Sequence, residues 1–106
     1  MKFKRIRGNH RQKDIYQKFP WLEDAKFQNA VIDIGYDGCL VWEDGIWEDG
    51  VWLDGIWCDG TWKNGVWCGG EWRGGTWEDG KWYRGDWEDG VLLDGIWCDG
   101  IWWGGV

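Results

Sequence analysis

The sequence predicts an all-β solenoid built from five-residue repeats, and three observations carry that prediction. Residues 41–105 read as thirteen consecutive pentads, VWEDG through IWWGG. Trp fills the second position in twelve of the thirteen, with Leu92 the exception, and Gly fills the fifth in all of them. Asp, Asn or Gly fills the fourth position in twelve, with Arg84 the exception. A fixed internal period is the first thing a sequence reading must explain.

Two folds have a period of five. The alternative is an antiparallel β-meander of short hairpins, with x-Trp-x strands joined by two-residue Asp-Gly turns. Ladder parity counts against it. Alternate residues of a strand bond to opposite sides, so positions one and three of a pentad face the same neighbour. Those two positions nevertheless flank turns leading to opposite neighbours, and a uniform three-residue meander cannot close its ladder. It would also leave a wall of Trp on one face, well beyond the apolar patch of an ordinary soluble monomer. In a solenoid, each pentad instead makes one short side and one corner.

The elements follow in order. Residues 1–20 form a basic N-terminal arm, in which Ile15, Tyr16 and Phe19 have the spacing of a short helix that Pro20 stops. Residues 21–40 keep the five-residue phase. Stepping back from Trp42 gives Asp37, Ile32, Phe27 and Leu22, and stepping back from Gly45 gives Leu40, Gly35, Ala30 and Ala25. This segment reads as a degenerate first coil or cap. Residues 41–106 form the Trp/Gly solenoid proper. VWLDGIWCDG at 51–60 and VLLDGIWCDG at 91–100 differ at one position and lie 40 residues apart. That spacing fits a coil of ten or twenty residues and not fifteen, so four pentads are expected per square coil. The Trp columns are then 42/62/82/102, 47/67/87, 52/72 ending in Leu92, and 57/77/97. Trp and the Gly two residues before it both face the axis, where a bulky indole needs a neighbour without a side chain.

At this period the chain resembles the pentapeptide-repeat proteins, over roughly residues 21–106, and the resemblance implies a right-handed quadrilateral β-solenoid. Trp here replaces that family's usual Leu or Phe, and Gly its usual small residue. The chain also looks like short Gly/Trp pentad proteins of phages. Trp-Lys-Asn-Gly at 62–65 bears a fainter likeness to the hairpins of membrane-occupation (MORN) repeats.

Charge is divided along the chain. Residues 1–20 carry seven basic side chains and one acidic one, whereas residues 21–106 carry five basic and eighteen acidic ones. A basic arm on an acidic body suggests an arm that grips an acidic partner or docks on a neighbouring body. Its residues are Lys2, Lys4, Arg5, Arg7, Arg11 and Lys13. No apolar run approaches the ~20 residues of a membrane span, and no secretory signal follows the basic start. The expected setting is the cytoplasm or a virion, without membrane contact.

Enzymatic chemistry is not expected. The chain has one histidine, His10, and no serine. Its carboxylates sit at regular outward or corner positions where turn chemistry explains them. The glycines lack the strand–helix context of a nucleotide-binding loop, and no cofactor is implied. Cys39, Cys58, Cys68 and Cys98 contain no Cys-x-x-Cys pair, so no metal site is expected. On a square coil Cys58 and Cys98 share a face two coils apart, at about 9.6 Å, too far for a disulfide. All four read as free thiols of a reducing compartment.

The first pentad position carries the functional expectation. It is apolar in the early coils (Val41, Ile46, Val51, Ile56) and polar in the middle. It turns apolar again at Val91, Ile96, Ile101 and Val106. Phe3, Ile6, Ile15, Tyr16 and Phe19 of the arm are expected to cover the first collar. The last collar, with the outward Trp103, has no cap and is the expected self-association surface. The reading is therefore a non-enzymatic structural or assembly module, a homo-oligomer or part of a larger assembly such as a phage virion. Two alternatives stand beside it. One, which the resemblance to pentapeptide-repeat proteins implies, is an acidic, DNA-mimicking inhibitor or protector of a topoisomerase, and it leaves a nucleic-acid connection open. The other is a carbohydrate-binding module using exposed Trp.

Overall fold

The computed structural model describes residues 3–106. Its body is a parallel β-solenoid of five-residue repeats with about 4 turns and little helix. Each pentad contributes a two-residue strand, x-Trp, from Val51–Trp52 to Ile101–Trp102. Pairing between coils is parallel throughout, which overturns the meander.

The coil has three sides, a correction to the expected quadrilateral. Val41 and Trp42 pair with Ile56 and Trp57, these with Glu71 and Trp72, then with Asp86 and Trp87, and finally with Ile101 and Trp102. Each step is fifteen residues, three pentads rather than four. The Trp columns are therefore 42/57/72/87/102, 52/67/82/97 and 47/62/77, the last ending in Leu92. Within a turn, Trp57, Trp62 and Trp67 meet edge to face at 5.8 Å with interplanar angles of 71° and 72°. Those angles fall well short of a right angle, as in a three-sided prism, and three indoles close the axis. Between coils the indoles stack, as Trp62 does on Trp77 at 4.7 Å and 5°.

Ten Trp residues, from Trp42 to Trp87, are essentially fully buried. Nine of their indole N–H groups find no hydrogen-bond acceptor, which is costly for a buried donor. The edge-to-face contacts offset part of that cost, because the positive ring edge meets a negative ring face. The backbone is satisfied by two ladder bonds per pentad. Lys63 N–H donates to the Trp47 carbonyl at 2.8 Å, and Val66 N–H to the Gly50 carbonyl at 2.9 Å. At the corners, Asp side chains accept from the next Gly N–H, as Asp59 does from Gly60 at 2.8 Å.

Residues ahead of the solenoid run differently from the expectation of a first coil. Strand β2 (Lys26–Ile34) pairs antiparallel with β3 (Leu40–Asp49), with Phe27 opposite Trp47 and Ile32 opposite Trp42. The side chains keep the inward phase, and Leu22, Ala25, Phe27, Ala30 and Ile32 are all buried. The chain direction is reversed because a tight turn at 35–39 folds β2 back over the first coil, with Gly38 at φ 80°. Strand β1 (Arg5–Ile6) then pairs parallel with β2. Helix α1 (Gln12–Lys18) follows and buries Ile15, before a 3-10 turn at Pro20–Leu22.

Candidate functional site

The two ends of the solenoid differ. At the N-terminal end each indole column meets a lid residue: Trp21 lies edge-on to Trp52 at 5.3 Å, Phe27 stacks on Trp47 at 6.5 Å, and Ile32 pairs with Trp42. Phe3 stacks on Phe27 at 4.8 Å and contacts Tyr16. Ile6, Tyr16 and Phe19 also pack against the core. The arm's apolar residues thus seal the end layer rather than the outward collar, where Val51 stays exposed.

At the C-terminal end the layer consists of Leu92, Trp97 and Trp102. Trp87, expected in that layer on a square coil, is fully buried beneath Trp102, which stacks on it at 4.8 Å. Trp102 itself is 41% exposed. Around this layer Val91, Ile96, Ile101, Trp103 and Val106 are all exposed, reaching 68% at Trp103 and 74% at Val106. The structure brings these five residues onto the last coil. Sequence reasoning missed Leu93, an exposed apolar residue on the same coil. Its signal was the third pentad position, which is charged in six of the thirteen repeats.

The basic arm is folded onto the protein. Arg7 Nε meets Glu43 at 2.7 Å, and Arg11 Nε meets Asp14 at 3.6 Å. Lys4, Arg5 and Lys13 are exposed on the lid, and Lys2 lies outside the described residues. Backbone bonds hold the strand, with Lys4 N–H donating to Ala30 and Arg7 N–H to Ile32.

The cysteines are free. With three-sided coils, Cys58 and Cys98 fall on different faces, contrary to the square-coil expectation. Cys68 and Cys98 share a face with Tyr83 between them, since the three donate to successive Trp carbonyls of one column. Burial raises the Cys39 thiol to about 11, helped by the neighbouring Asp37 carboxylate. Burial also raises Cys58 and Cys68, opposed at Cys68 by Arg84. Among the described residues no group of three or more His, Cys, Asp or Glu side chains is placed to hold a metal. Nor is any helix among them long and apolar enough to cross a membrane.

No protein-family model matches this chain, and it has no significant match among curated proteins or solved structures.

Proposed function

We propose that this chain is a non-enzymatic structural and interaction module that associates with a second copy through its C-terminal coil. The observation that carries the proposal is the contrast between a sealed N-terminal layer and a C-terminal layer in which Trp102 is exposed and Leu92 and Trp97 are only partly buried. One open end allows a two-fold contact and no other end-on arrangement, because an end-to-end polymer needs two open ends. Val91, Ile96 and Ile101 are only about half-exposed, so covering each contributes roughly 1 kcal/mol before association costs. Lys4, Arg5 and Lys13 on the opposite end remain available to an acidic partner. The likeness to phage Gly/Trp proteins and the four thiols support a virion or a reducing cell interior as the setting.

Sedimentation equilibrium tests the contact. The wild-type chain is expected to be a dimer at micromolar concentration. Val91→Lys with Ile96→Glu, two exposed positions outside the indole columns, is expected to give a folded monomer. A wild-type chain that stays monomeric at hundreds of micromolar overturns the proposal.

A further inference from the structure

One face of the solenoid carries two adjacent columns of outward side chains. Val41, Ile56, Glu71, Asp86 and Ile101 stack in register. Beside them stand Glu43, Cys58, Arg73, Glu88 and Trp103, each later member donating its backbone N–H to the coil below. On the lower coils, carboxylates of this face meet a guanidinium from the chain itself. Glu43 has Arg7 at 2.7 Å, and Glu71 has Arg73 at 3.3 Å. Asp86 and Glu88, higher up, have no ion pair or side-chain hydrogen bond among the described residues. Where another cation would complete the pattern, the next coil supplies the indole of Trp103. Asp86, Glu88 and Trp103 line a shallow depression open to solvent on this face.

We propose that this depression binds an organic cation, a guanidinium or substituted ammonium group. The face of an indole attracts a cation through its quadrupole, most strongly in Trp. The two carboxylates supply charge-assisted hydrogen bonds to its N–H groups. Neither group serves an anion, and a neutral ligand would leave both carboxylates uncompensated. A hard metal ion is disfavoured because it demands six or more oxygen ligands, which two carboxylates and an indole do not provide. The surrounding field has the right sign: the protein carries a net charge of −7, with the acidic excess on the repeat body. The cation is either a free small molecule or an arginine side chain displayed by a partner peptide, and the two have the same chemistry at the site. The site shares Trp103 with the apolar rim of the last coil, and the monomeric Val91→Lys with Ile96→Glu variant, which keeps all three lining residues, separates cation binding from the end-on contact.

The test follows the indole N–H resonance of Trp103, assigned by its loss in Trp103→Phe, in both the wild type and the monomeric variant. Three probes are added at constant ionic strength: N-acetylarginine amide, an acetylated Gly-Arg-Gly peptide, and N-acetylcitrulline amide, the neutral isostere. The arginine probes are expected to shift the resonance saturably and citrulline not to. Asp86→Asn with Glu88→Gln is expected to weaken the half-saturation at least tenfold. Tighter binding of the peptide than of the amide identifies a partner's side chain as the source, and equal binding identifies a small molecule. No saturable shift at tens of millimolar, an equal response to citrulline, or undiminished binding by the carboxamide variant overturns the proposal.

Discussion

The carbonyl oxygen of Gly50 occupies the place where a Cβ on Gly65 would stand. The two residues are one coil apart at the same corner, and Gly65 has φ 128°. Invariant Gly at the fifth position therefore has two causes, a left-handed backbone and the backbone of the coil below. The indole expected from the sequence to exclude a side chain is only the third contact, Trp47 Nε1 at 3.2 Å.

Neighbouring glycines make this testable. Gly70 has φ 104°, and its Cβ would land on the Gly55 carbonyl; at Gly69 the nearest atom, the Leu53 oxygen, is 3.5 Å away. Gly70→Ala is expected to destabilise by well over the ~1 kcal/mol of a plain backbone effect. Gly69→Ala is expected to be neutral, or to stabilise by about 0.4–1 kcal/mol through the unfolded chain. Urea denaturation of the two variants checks both, and equal effects would count against corner geometry as the cause.

A second expectation concerns the indole columns. Trp72 lies between Trp57 at 4.8 Å and Trp87 at 4.9 Å, parallel to both within 7°. Leu92 ends a neighbouring column at a half-exposed position, so Leu is tolerated where one side faces water. Trp72→Leu in the middle leaves a cavity and is expected to cost about 3 kcal/mol. Leu92→Trp is expected to lose nothing, because the new indole continues the stack on Trp77. Thermal unfolding of the pair, followed by near-ultraviolet circular dichroism, reads both outcomes.

The five-residue phase, the inward Trp and the parallel coil were legible because one residue type repeats at one position. The number of sides was not. Every pentad presents the same inward Trp and corner Gly, so any pentad fits any face. The near-identical segments at 51–60 and 91–100 accordingly start on different columns, Val51 pairing towards Val66 and Val91 towards Thr76. Their spacing reports sequence duplication, not coil length. The number of sides shows only in how the three rings of one turn pack together. The reversal of β2 was hidden for a related reason: Phe27 and Ile32 alternate inward in either direction. At the candidate contact, the apolar outward residues were legible individually. Their shared coil and the unpartnered Asp86 and Glu88 beneath Trp103 required the register.

Thiol reactivity should rank with how readily each thiol forms its thiolate. Only the thiolate is nucleophilic, and Cys39 titrates near 11 because burial and Asp37 disfavour its anion. Cys98 is the exposed cysteine. Iodoacetamide at pH 8 is expected to label Cys98 first and Cys39 last, with four thiols counted after unfolding. The raised Cys39 value also fixes the sign of a pH effect. Between about 9 and 11 the unfolded chain loses this proton and the folded one keeps it, so stability is full below that window and falls across it. Peptide mapping of timed labelling gives the order, and a Cys39 that reacts as fast as Cys98 refutes it.

The lid supplies the last prediction. Trp21 and Phe27 cover two indole columns, and Ile32 lies over the third. Trp21→Ala with Phe27→Ala removes most of the aromatic cover and exposes Trp47 and Trp52 to solvent. A molecule with two open ends can stack head to tail, and such heterologous contacts do not close. The double variant is therefore expected to form species larger than a dimer whose size grows with concentration. Adding Val91→Lys and Ile96→Glu closes the other end to contact and is expected to return it to small species. Circular dichroism must first show that β structure is retained, since the lid truncations also cost core contacts. Light scattering then decides. A folded lid variant that stays no larger than the wild type would mean that the arm is not what limits stacking at that end.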